Sequence, residues 1–365
     1  MTASHSKDFM TRKILFALVS VILFTAVDCK DEPTKPPVTE QPQDTTSHNW
    51  IFEQPQFLGD GASSVLHDVA IINDTLAYAV GEIRLKDSIG NWDPVIYNAA
   101  VWNGTEWKLK RITVNYNGNM ITVPLEGIFA FSPTDIWVVG SFPIHGDGSS
   151  WTLYHLQNMG LSVSVSKAWG KSTNDMYFVG LQGSIAHYFN GSWTKITSGT
   201  SLPFYDIYGA TDSKTGEQQI LALCSQNVPH ERGLYRIQGN TATALSTYPL
   251  NYDLSGLWFV PNKHYYLIGS GIFEKNALSD ETWKPDTLSM TKYTTTKVKG
   301  NSINDVFVVG AFGECLHWNG KSWRSYQNQT ALNYGAYSSV AVKGNIVIGV
   351  GNDYPLAAIT IGRRK

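Results

Sequence analysis

Short apolar runs that end in a small residue recur along the chain at a nearly constant spacing. After a first interval of 59 residues, the spacings between their ends are 40, 44, 45, 41 and 39 residues. The runs are AYAVG ending at Gly81, DIWVVG at Gly140, DMYFVG at Gly180, LALCS at Cys224, YYLIG at Gly269, DVFVVG at Gly310 and NIVIG at Gly349. Apolar runs of this length, bounded by turn residues, are typical of strands. Seven such units predict an all-β fold, a seven-bladed β-propeller.

Two of the units share one pattern from the second strand to the start of the fourth: NDMYFVGLQGSIAHYFNGSW, residues 174 to 193, and NDVFVVGAFGECLHWNGKSW, residues 304 to 323. The first strand precedes each segment, at KAWG and KVKG. The Asn-Asp pair predicts a turn before the second strand, and the later Asn-Gly predicts a turn before the fourth. We expect the blades to begin near residues 67, 125, 166, 205, 254, 296 and 337. The long first interval leaves room for an extra hairpin after blade one.

A tryptophan opens the predicted fourth strand of four units, where we expect it to pack between blades. These residues are Trp107, Trp193, Trp283 and Trp323, and blades two and four lack an equivalent. The next would fall near residue 363, where the chain ends, whereas HNWIFEQPQF at 48 to 57 is a Trp-led strand without a blade. We therefore predict that this segment completes the last blade, which closes the ring and removes a free sheet edge.

Composition and charge restrict the partners of the chain. Hydrophobic residues make up 42% of the 365 residues and aromatic residues 12%, which is enough for a large core. With 28 Lys and Arg against 30 Asp and Glu, the formal net charge is -2, so no attraction to nucleic acid or an anionic membrane is predicted. Cys224 and Cys315 lie in strand-like runs and are interpreted as buried free thiols. No phosphate-binding or zinc-protease motif is present, and no cofactor or metal is expected.

Histidines and aspartates recur within the units. We place three histidines at the same third-strand position of blades two, three and six: His155, His187 and His317. Packed sheets lie about 10 Å apart, so these side chains cannot converge on one metal with bonds of about 2 Å. Three aspartates also recur once per blade, beside a turn: Asp135, Asp175 and Asp305. A structural role is the favoured interpretation of both sets, and a catalytic role is the alternative.

The first 47 residues differ in character from the rest. Basic residues precede the apolar stretch 14–27, which is the pattern of a signal peptide over residues 1–28. Cys29 follows, and then a Pro-, Thr- and acid-rich segment that cannot bury enough apolar surface to fold. This arrangement resembles a bacterial lipoprotein. The resemblance implies lipidation of Cys29, a disordered tether over 29–47 and a propeller over 48–365.

The same resemblance implies a location for the protein. A lipoprotein of this kind would lie at the bacterial outer membrane or cell surface, or in the periplasm if it is not surface-exposed. Contact with the membrane would be made only through the lipid anchor. The run Lys30, Asp31, Glu32 is similar to the signal that sends some lipoproteins to the outer surface. An exported but soluble protein is the alternative.

The repeat also resembles a known group of proteins. The pattern [ST]-x-x-D-[VI]-[FWY]-x-V-G-x-x-G, followed by H-[WY] and N-G-x-x-W, is similar to propeller repeats of exported bacterial proteins of uncharacterised role, and distantly to sialidase-type propellers. The resemblance covers about 315 residues, from 49 to the C-terminus, and implies a fold but no activity. The Ser-x-Asp-x-Gly-x-x-Trp motif of sialidase-type repeats is absent, which disfavours sialidase chemistry.

Three segments are longer than minimal hairpins between second and third strands: 81–98, 140–151 and 225–233. We expect all three on one face of the propeller. They contribute the candidate ligand-binding residues Trp92, Asp93, His145, Asp147, Trp151, His230, Glu231 and Arg232. Aromatic and polar groups together suit a glycan, peptide or protein ligand, whereas variable surface loops without a function are the plainer alternative.

Two functions remain open from the sequence. The first is a non-catalytic binding or scaffold module at the bacterial cell envelope. The second is a hydrolase or lyase acting on polysaccharide, with His145 or His230 and Asp93 or Asp147 as general base and acid. A histidine and a carboxylate from different blades, within hydrogen-bond distance beside the channel, would favour the enzyme.

Overall fold

A computed structural model describes residues 47–287 and 291–365. The predicted signal peptide at 1–28, Cys29 and all of the predicted tether except residue 47 lie outside the described residues. Within the described ranges, no helix combines the length and the hydrophobicity needed to cross a membrane.

Seven antiparallel sheets form the blades of a propeller, as the sequence predicts. From the axis outward, blades one to three are Val65–Asn73, Leu76–Ile83, Tyr97–Trp102, Trp107–Lys110; Gly127–Ser132, Asp135–Val139, Pro143–Gly146, Trp151–Leu153; and Ser164–Ser172, Asp175–Leu181, Ile185–Phe189, Ser192–Ile196. Blades four to six are Phe204–Thr211, Gln218–Gln226, Glu231–Gln238, Thr241–Leu245; Leu254–Val260, His264–Gly269, Gly271–Lys275, Lys284–Pro285; and Thr295–Ser302, Asp305–Gly310, Cys315–Trp318, Trp323–Ser325. Blade seven is Gly335–Lys343, Ile346–Asp353, Leu356–Arg364 and Trp50–Phe52, with Gln56–Leu58 also on its third strand.

The blades begin within two residues of the predicted positions, at 65, 127, 164, 204, 254, 295 and 335. Each first strand contacts the first strands of the neighbouring blades, so these strands surround the central channel. The long interval after blade one, which leaves room for an extra hairpin, contains one: Val114–Tyr116 paired with Asn119–Ile121. Two short helices occur in the connections between blades as far as these are described, a 3₁₀ helix at Leu156–Met159 and an α-helix at Gln327–Thr330.

The small residue that ends the apolar run of each second strand is named here the anchor. It is a glycine in most blades because the first strand approaches it closely. A Cβ atom on Gly180 would lie 2.3 Å from the Ser164 carbonyl oxygen, so a larger residue would push the two strands apart. In blade seven this position is Gly351, where a Cβ would lie 2.0 Å from the Ala336 oxygen. The assignment of Gly349 as the last anchor was wrong by two residues, because its Cβ would meet nothing closer than 3.2 Å.

The N-terminal strand closes the ring, as predicted. Trp50–Phe52 pairs with the last strand of the chain, and Trp50 lies opposite Arg364. The Trp50 and Phe52 side chains are buried against blade six, and the Trp50 and Phe307 ring centroids are 4.9 Å apart in an edge-to-face arrangement. The two ends of the described domain therefore share one sheet, which covers an edge that would otherwise be open.

The outer tryptophan is more regular than the sequence suggested. The conclusion that blade two lacks one was wrong, because Trp151 opens its fourth strand and packs over Gly146. A Cβ on Gly146 would lie 2.3 Å from the Trp151 ring. Blade four does lack the residue, since its fourth strand begins at Thr241.

Antiparallel pairing divides the connections between two faces. The face named here the loop face carries the connections between second and third strands, at 84–96, 140–142, 182–184, 227–230, 270, 311–314 and 354–355. It also carries the connections between blades, at 59–64, 111–126, 154–163, 197–203, 246–253, 286–294 and 326–334, of which 288–290 lie outside the described residues. The opposite face carries the remaining turns.

Candidate functional site

Exposed apolar side chains concentrate on the loop face. Of the large hydrophobic side chains that are exposed in the described ranges, fourteen lie in its connections or at the strand ends beside them: Ile89, Trp92, Val95, Met120, Met159, Leu181, Tyr205, Val228, Tyr248, Tyr252, Tyr293, Phe312, Tyr334 and Tyr354. The opposite face has two, Phe189 and Ile303, and the remaining two, Ile51 and Phe57, lie on outer strands of blade seven. Exposed apolar surface on one face indicates an interaction surface.

The channel opens on the loop face as a cavity of about 610 Å³. Hydroxyl groups from several first strands line it and join neighbouring blades. Thr296 Oγ1 donates to the Tyr337 carbonyl oxygen at 2.5 Å, and Ser255 Oγ donates to the Thr295 oxygen at 2.8 Å. Tyr205 and Leu181 contribute exposed apolar surface to the same rim. The mouth thus offers a polar floor with an apolar edge, which suits a ligand that combines both characters.

A ring of seven residues, four of them charged, lies below this mouth. Each first strand contributes one residue, which lies opposite the residue just before the anchor on the neighbouring second strand. The seven residues are Asp68, Gly127, Lys167, Asp206, Gly256, Lys297 and Ser339. We call these seven residues the belt. Going around the ring, the order Asp, Gly, Lys occurs twice, and serine completes the circle.

Ion pairs in the belt span three blades. Lys297 Nζ lies 2.6 Å from Asp206 Oδ1, and Lys167 Nζ lies 3.4 Å from Asp68 Oδ2. In each case the blade between the partners contributes glycine, so no side chain separates the lysine from the aspartate. Ser339 Oγ donates to Asp68 Oδ1 at 2.6 Å and joins blade seven to the same network.

The belt aspartates also accept backbone hydrogen bonds from the next blade. Asp206 Oδ2 accepts from the Leu257 N–H at 3.0 Å, and Asp68 Oδ2 accepts from the Ile128 N–H at 3.3 Å. Burial opposes ionisation of Asp68, but the cations Lys167 and Lys297 outweigh it and hold its pKa below the ordinary value. Burial also opposes the charge on Lys297, yet Asp206 raises the pKa of Lys297 above its ordinary value.

The sequence interpretation missed the belt, although a signal was present. Five of the seven residues stand 13 positions before the anchor residue of their own blade: Asp68, Gly127, Lys167, Gly256 and Lys297. A charge within an apolar first strand is unusual, because an unpaired buried charge is costly. The partners belong to other blades, so each charge becomes intelligible only when the ring is closed.

The candidates of the first long segment lie on the loop face. Trp92 is exposed, and the Lys86 ammonium lies 4.9 Å from its ring centroid. The Asp93 carboxylate accepts from the Val95 N–H and forms an ion pair with Arg111, and these bonds lower its pKa. Asp93 therefore holds the connection in shape.

The candidates of blade four also lie on the loop face, and one of them meets a second blade. His230 Nδ1 lies 3.0 Å from Oδ1 of Asp253, which precedes the first strand of blade five. Arg232 donates to the carbonyl oxygens of Leu250 and His230. Glu231 is exposed at the start of the third strand. The pair formed by His230 and Asp253 stands beside the mouth, which Asp253 helps to line.

The third group does not join the other two. The expectation that 140–151 lies on the loop face was wrong for most of the segment, because the strand Pro143–Gly146 carries it to the opposite face. Asp147 accepts from the N–H groups of Ser149 and Ser150 in a turn there, and these bonds lower its pKa to about 2. Trp151 opens the fourth strand beside this turn. Only residues 140–142 of the segment reach the loop face.

His145, not His155, is the third-strand histidine of blade two. In blades two, three and six the histidine Nε2 bonds the aspartate that opens the second strand, at 2.8, 2.9 and 2.9 Å. Each imidazole stacks on an aromatic ring of that strand, and the pairs are His145 with Trp137, His187 with Tyr177 and His317 with Phe307. His155 instead stacks on Tyr116 and fixes the additional hairpin. His145 therefore has the same structural role in blade two that His187 and His317 have in blades three and six.

No group of three or more metal-binding side chains occurs in residues 47–287 or 291–365. Cys224 and Cys315 are buried free thiols, and burial raises the pKa of Cys224 to about 12.

Comparison with known proteins adds information on the fold. No protein-family model matches the chain, and no curated protein matches its sequence. A structure of YCF48 bound to D1 peptide superposes with a TM-score of 0.61 at 14% identity, over 87% of this chain and 97% of that chain. YCF48 from Cyanidioschyzon merolae gives 0.59 at 13% identity, over 84% and 98%. A catalytically inactive virginiamycin B lyase from Staphylococcus aureus with quinupristin gives 0.61 at 10% identity, over 86% and 100%. Similarity at this level of identity shows the fold alone, so the chain is a seven-bladed β-propeller whose function has to be argued from its own surface.

Proposed function

We propose that this protein is a non-catalytic binding module that takes a polypeptide on its loop face. The observation that carries the proposal is the unequal division of exposed apolar side chains between the two faces. Fourteen of them are on the loop face and two on the opposite face of the described domain. Exposed apolar side chains gathered on one face favour a partner there, because open apolar surface promotes aggregation.

The composition of the loop face favours a polypeptide over a glycan. Six of its exposed side chains are tyrosines: Tyr205, Tyr248, Tyr252, Tyr293, Tyr334 and Tyr354. Tyrosine is enriched among the residues that dominate protein-protein binding, because it buries a large apolar ring and keeps a polar tip. The hydroxyls and backbone groups of the mouth can serve the amides of a peptide. The similarity to a YCF48 structure that contains a peptide is consistent with this ligand class.

A peptide-library selection on the soluble domain, residues 46–365, tests the proposal. The affinity of a selected peptide is then measured by calorimetry for two matched double variants. Tyr205→Ser with Tyr334→Ser removes apolar surface from the loop face, and Phe189→Ser with Ile303→Ser removes it from the opposite face. All four side chains are exposed, so neither variant should affect folding much.

We expect the loop-face variant to weaken binding by about tenfold or more, because truncated hot-spot residues cost about 2 kcal/mol or more. The opposite-face variant should bind like the parent. Equal losses of affinity in both variants would contradict the proposal. So would a peptide selection that yields no binder while a parallel glycan array does.

We also propose that the module is held at the bacterial envelope by a lipid on Cys29. The support is the apolar stretch 14–27, the cysteine that follows it and the polar segment between that cysteine and the propeller. Metabolic labelling with a fatty-acid analogue should mark the parent protein but not a Cys29→Ser variant. The variant should also leave the membrane fraction. Equal labelling of both proteins, or of neither, would refute the anchor and leave an exported soluble protein.

A second candidate function, a hydrolase or lyase acting on polysaccharide, is favoured by the pair His230 and Asp253. The two belong to different blades, lie 3.0 Å apart and stand beside the mouth, which is the arrangement expected of a general base and its orienting carboxylate. Incubation with soluble polysaccharides, followed by assays for reducing ends and for unsaturated products, tests it. Turnover that His230→Gln abolishes would support the enzyme, and no turnover by the parent would exclude these substrates.

A further inference from the structure

A second cavity lies in the channel on the other side of the belt from the mouth. Its volume is about 260 Å³, near the lower limit for small-ligand pockets. The belt residues Lys167 and Lys297 line both cavities, which places the belt between them. We call the second space the inner cavity. Its walls contain four aromatic side chains: Phe129, Trp169, Tyr208 and Trp258.

The lining of the inner cavity has more positive than negative charge. Four lysines, Lys167, Lys297, Lys299 and Lys343, face two aspartates, Asp68 and Asp206. Both aspartates are already bonded to a lysine of the belt and to backbone N–H groups. Lys343 donates to the Ile72 carbonyl oxygen at 2.8 Å. The carboxylates therefore have little capacity left to compensate a further cation.

Lys299 is that further cation. Its ammonium has no hydrogen-bond acceptor among the described residues, and its recorded contact is with the Tyr208 ring, 4.6 Å from the centroid. Burial, together with the nearby cations Lys297 and Lys167, lowers the pKa of Lys299 to about 8, although Asp206 and Asp68 oppose the change. At neutral pH the side chain thus remains largely protonated. The side chain is half-buried, and an ammonium at the channel wall that lacks a protein acceptor among the described residues can bond an anion in the cavity.

We propose that the inner cavity binds a small organic carboxylate, with the Lys299 ammonium bonding the carboxylate and the aromatic walls contacting its apolar body. A carboxylate needs few donors, and Lys299 is the lysine of these walls whose ammonium has no acceptor among the described residues. A phosphate ion has no apolar body and would leave the aromatic walls without a contact. This site is separate from the loop face, so the inference stands independently of the proposed function.

Calorimetry and thermal melts of residues 46–365 with benzoate, and separately with inorganic phosphate, test the inference. Lys299→Met is compared with Lys321→Met, a matched change at an exposed turn of the same blade. At about a hundred times Kd, benzoate should raise the Tm of the parent by roughly 3 °C or more. Lys299→Met should weaken benzoate binding by about tenfold or more, because a charge-assisted bond is lost.

The melts without ligand show whether Lys299→Met is folded. We expect its Tm to stay close to that of the parent, since Lys299 is half-buried and its ammonium has no hydrogen bond to the described residues to lose. Lys321→Met should bind benzoate like the parent. Binding of phosphate but not benzoate, equal benzoate binding by Lys299→Met and the parent, or no binding of either anion would each overturn the inference.

Discussion

The Nδ1 atom of His48 lies 3.0 Å from the Nδ1 atom of His317, although the two residues are 269 positions apart. At this distance one nitrogen must donate and the other must accept. At most one of the two rings can therefore be a positively charged imidazolium. His48 Nε2 lies 3.1 Å from Ser322 Oγ, and His317 Nε2 lies 2.9 Å from Asp305 Oδ1. The start of the described domain is thereby bonded to the histidine set of blade six.

This contact predicts that closure of the ring depends on pH. Burial, followed by the charges of His317 and Arg324, lowers the pKa of His48 from 6.5 to about 4. A lowered histidine pKa favours the neutral ring in the folded state, so its stabilisation is complete above pH 6.5 and is lost as the pH falls towards 4. Because His48 is partly exposed, we expect solvent screening to limit the effect to about 1 kcal/mol.

Urea unfolding at several pH values checks this expectation. Between pH 7 and pH 4.5 the parent should lose about 1 kcal/mol more stability than His48→Gln, which cannot titrate in this range. Parallel losses in the two proteins would show that His48 does not couple closure to pH.

Removal of the N-terminal strand should destabilise the domain severely. Deleting residues 46–57 exposes the third strand of blade seven and removes the buried rings of Trp50 and Phe52. Each ring buries roughly 150 to 250 Å², worth several kcal/mol at about 25 cal/mol per Å², against a total of roughly 5 to 15 kcal/mol. We expect the Tm to fall by roughly 10 °C or more. Deleting residues 30–45 is the control, and equal melts for the two truncations would refute closure by this strand.

The belt predicts that loss of one charge costs more than loss of the pair. Lys297→Met leaves Asp206 buried without its cation and should cost about 3 to 5 kcal/mol. Adding Asp206→Asn should recover part of the loss, so the double variant should be more stable than the sum of the single effects implies. Urea unfolding measures both, with Lys321→Met as an exposed control. Additive effects, or a Lys297→Met variant as stable as the control, would contradict an ion pair that joins the blades.

Gly349 and Gly351, both in the second strand of blade seven, separate the steric role of the anchor from the effect of glycine itself. Gly351→Ala places a methyl group 2.0 Å from the Ala336 oxygen, so the strands must move, and we expect a loss of about 3 kcal/mol or more. At Gly349 the nearest atom is 3.2 Å away and belongs to the Thr360 side chain, so Gly349→Ala should cost about 1 kcal/mol at most. Thermal melts that reverse this order would show that Gly349 is the anchor after all.

Much of the fold could be predicted because its main constraints recur within each blade. The contact at Gly180 is repeated by the other glycine anchors, so the spacing of these residues marks the blades. Closure could be predicted because the fourth strand also recurs. The last blade lacks one, and Trp50 opens a strand that belongs to no other blade. Trp151 was overlooked because its blade turns through Asp147 and Ser150 and not through Asn-Gly.

The candidate site was predicted less completely, because it depends on which face a residue reaches. In 140–151 the third strand was taken for part of a loop, so His145 was separated from its partner Asp135 and assigned to the mouth. His230 was selected, but its partner Asp253 belongs to the next inter-blade connection and gave no signal in the local sequence. Contacts between blades, including those of the belt, follow only from the closed ring.

Hydrogen exchange of the soluble domain, with and without a selected peptide, tests the central claim most directly, because it reports which face the ligand covers. We expect slower exchange in connections of the loop face, foremost 226–231, 246–253 and 332–335, which include Val228, Tyr252 and Tyr334. The turns of the opposite face, at 147–150, 190–191 and 303–304, should exchange at unchanged rates. Protection confined to the opposite face, or spread equally over both, would contradict the assignment of the loop face as the binding surface.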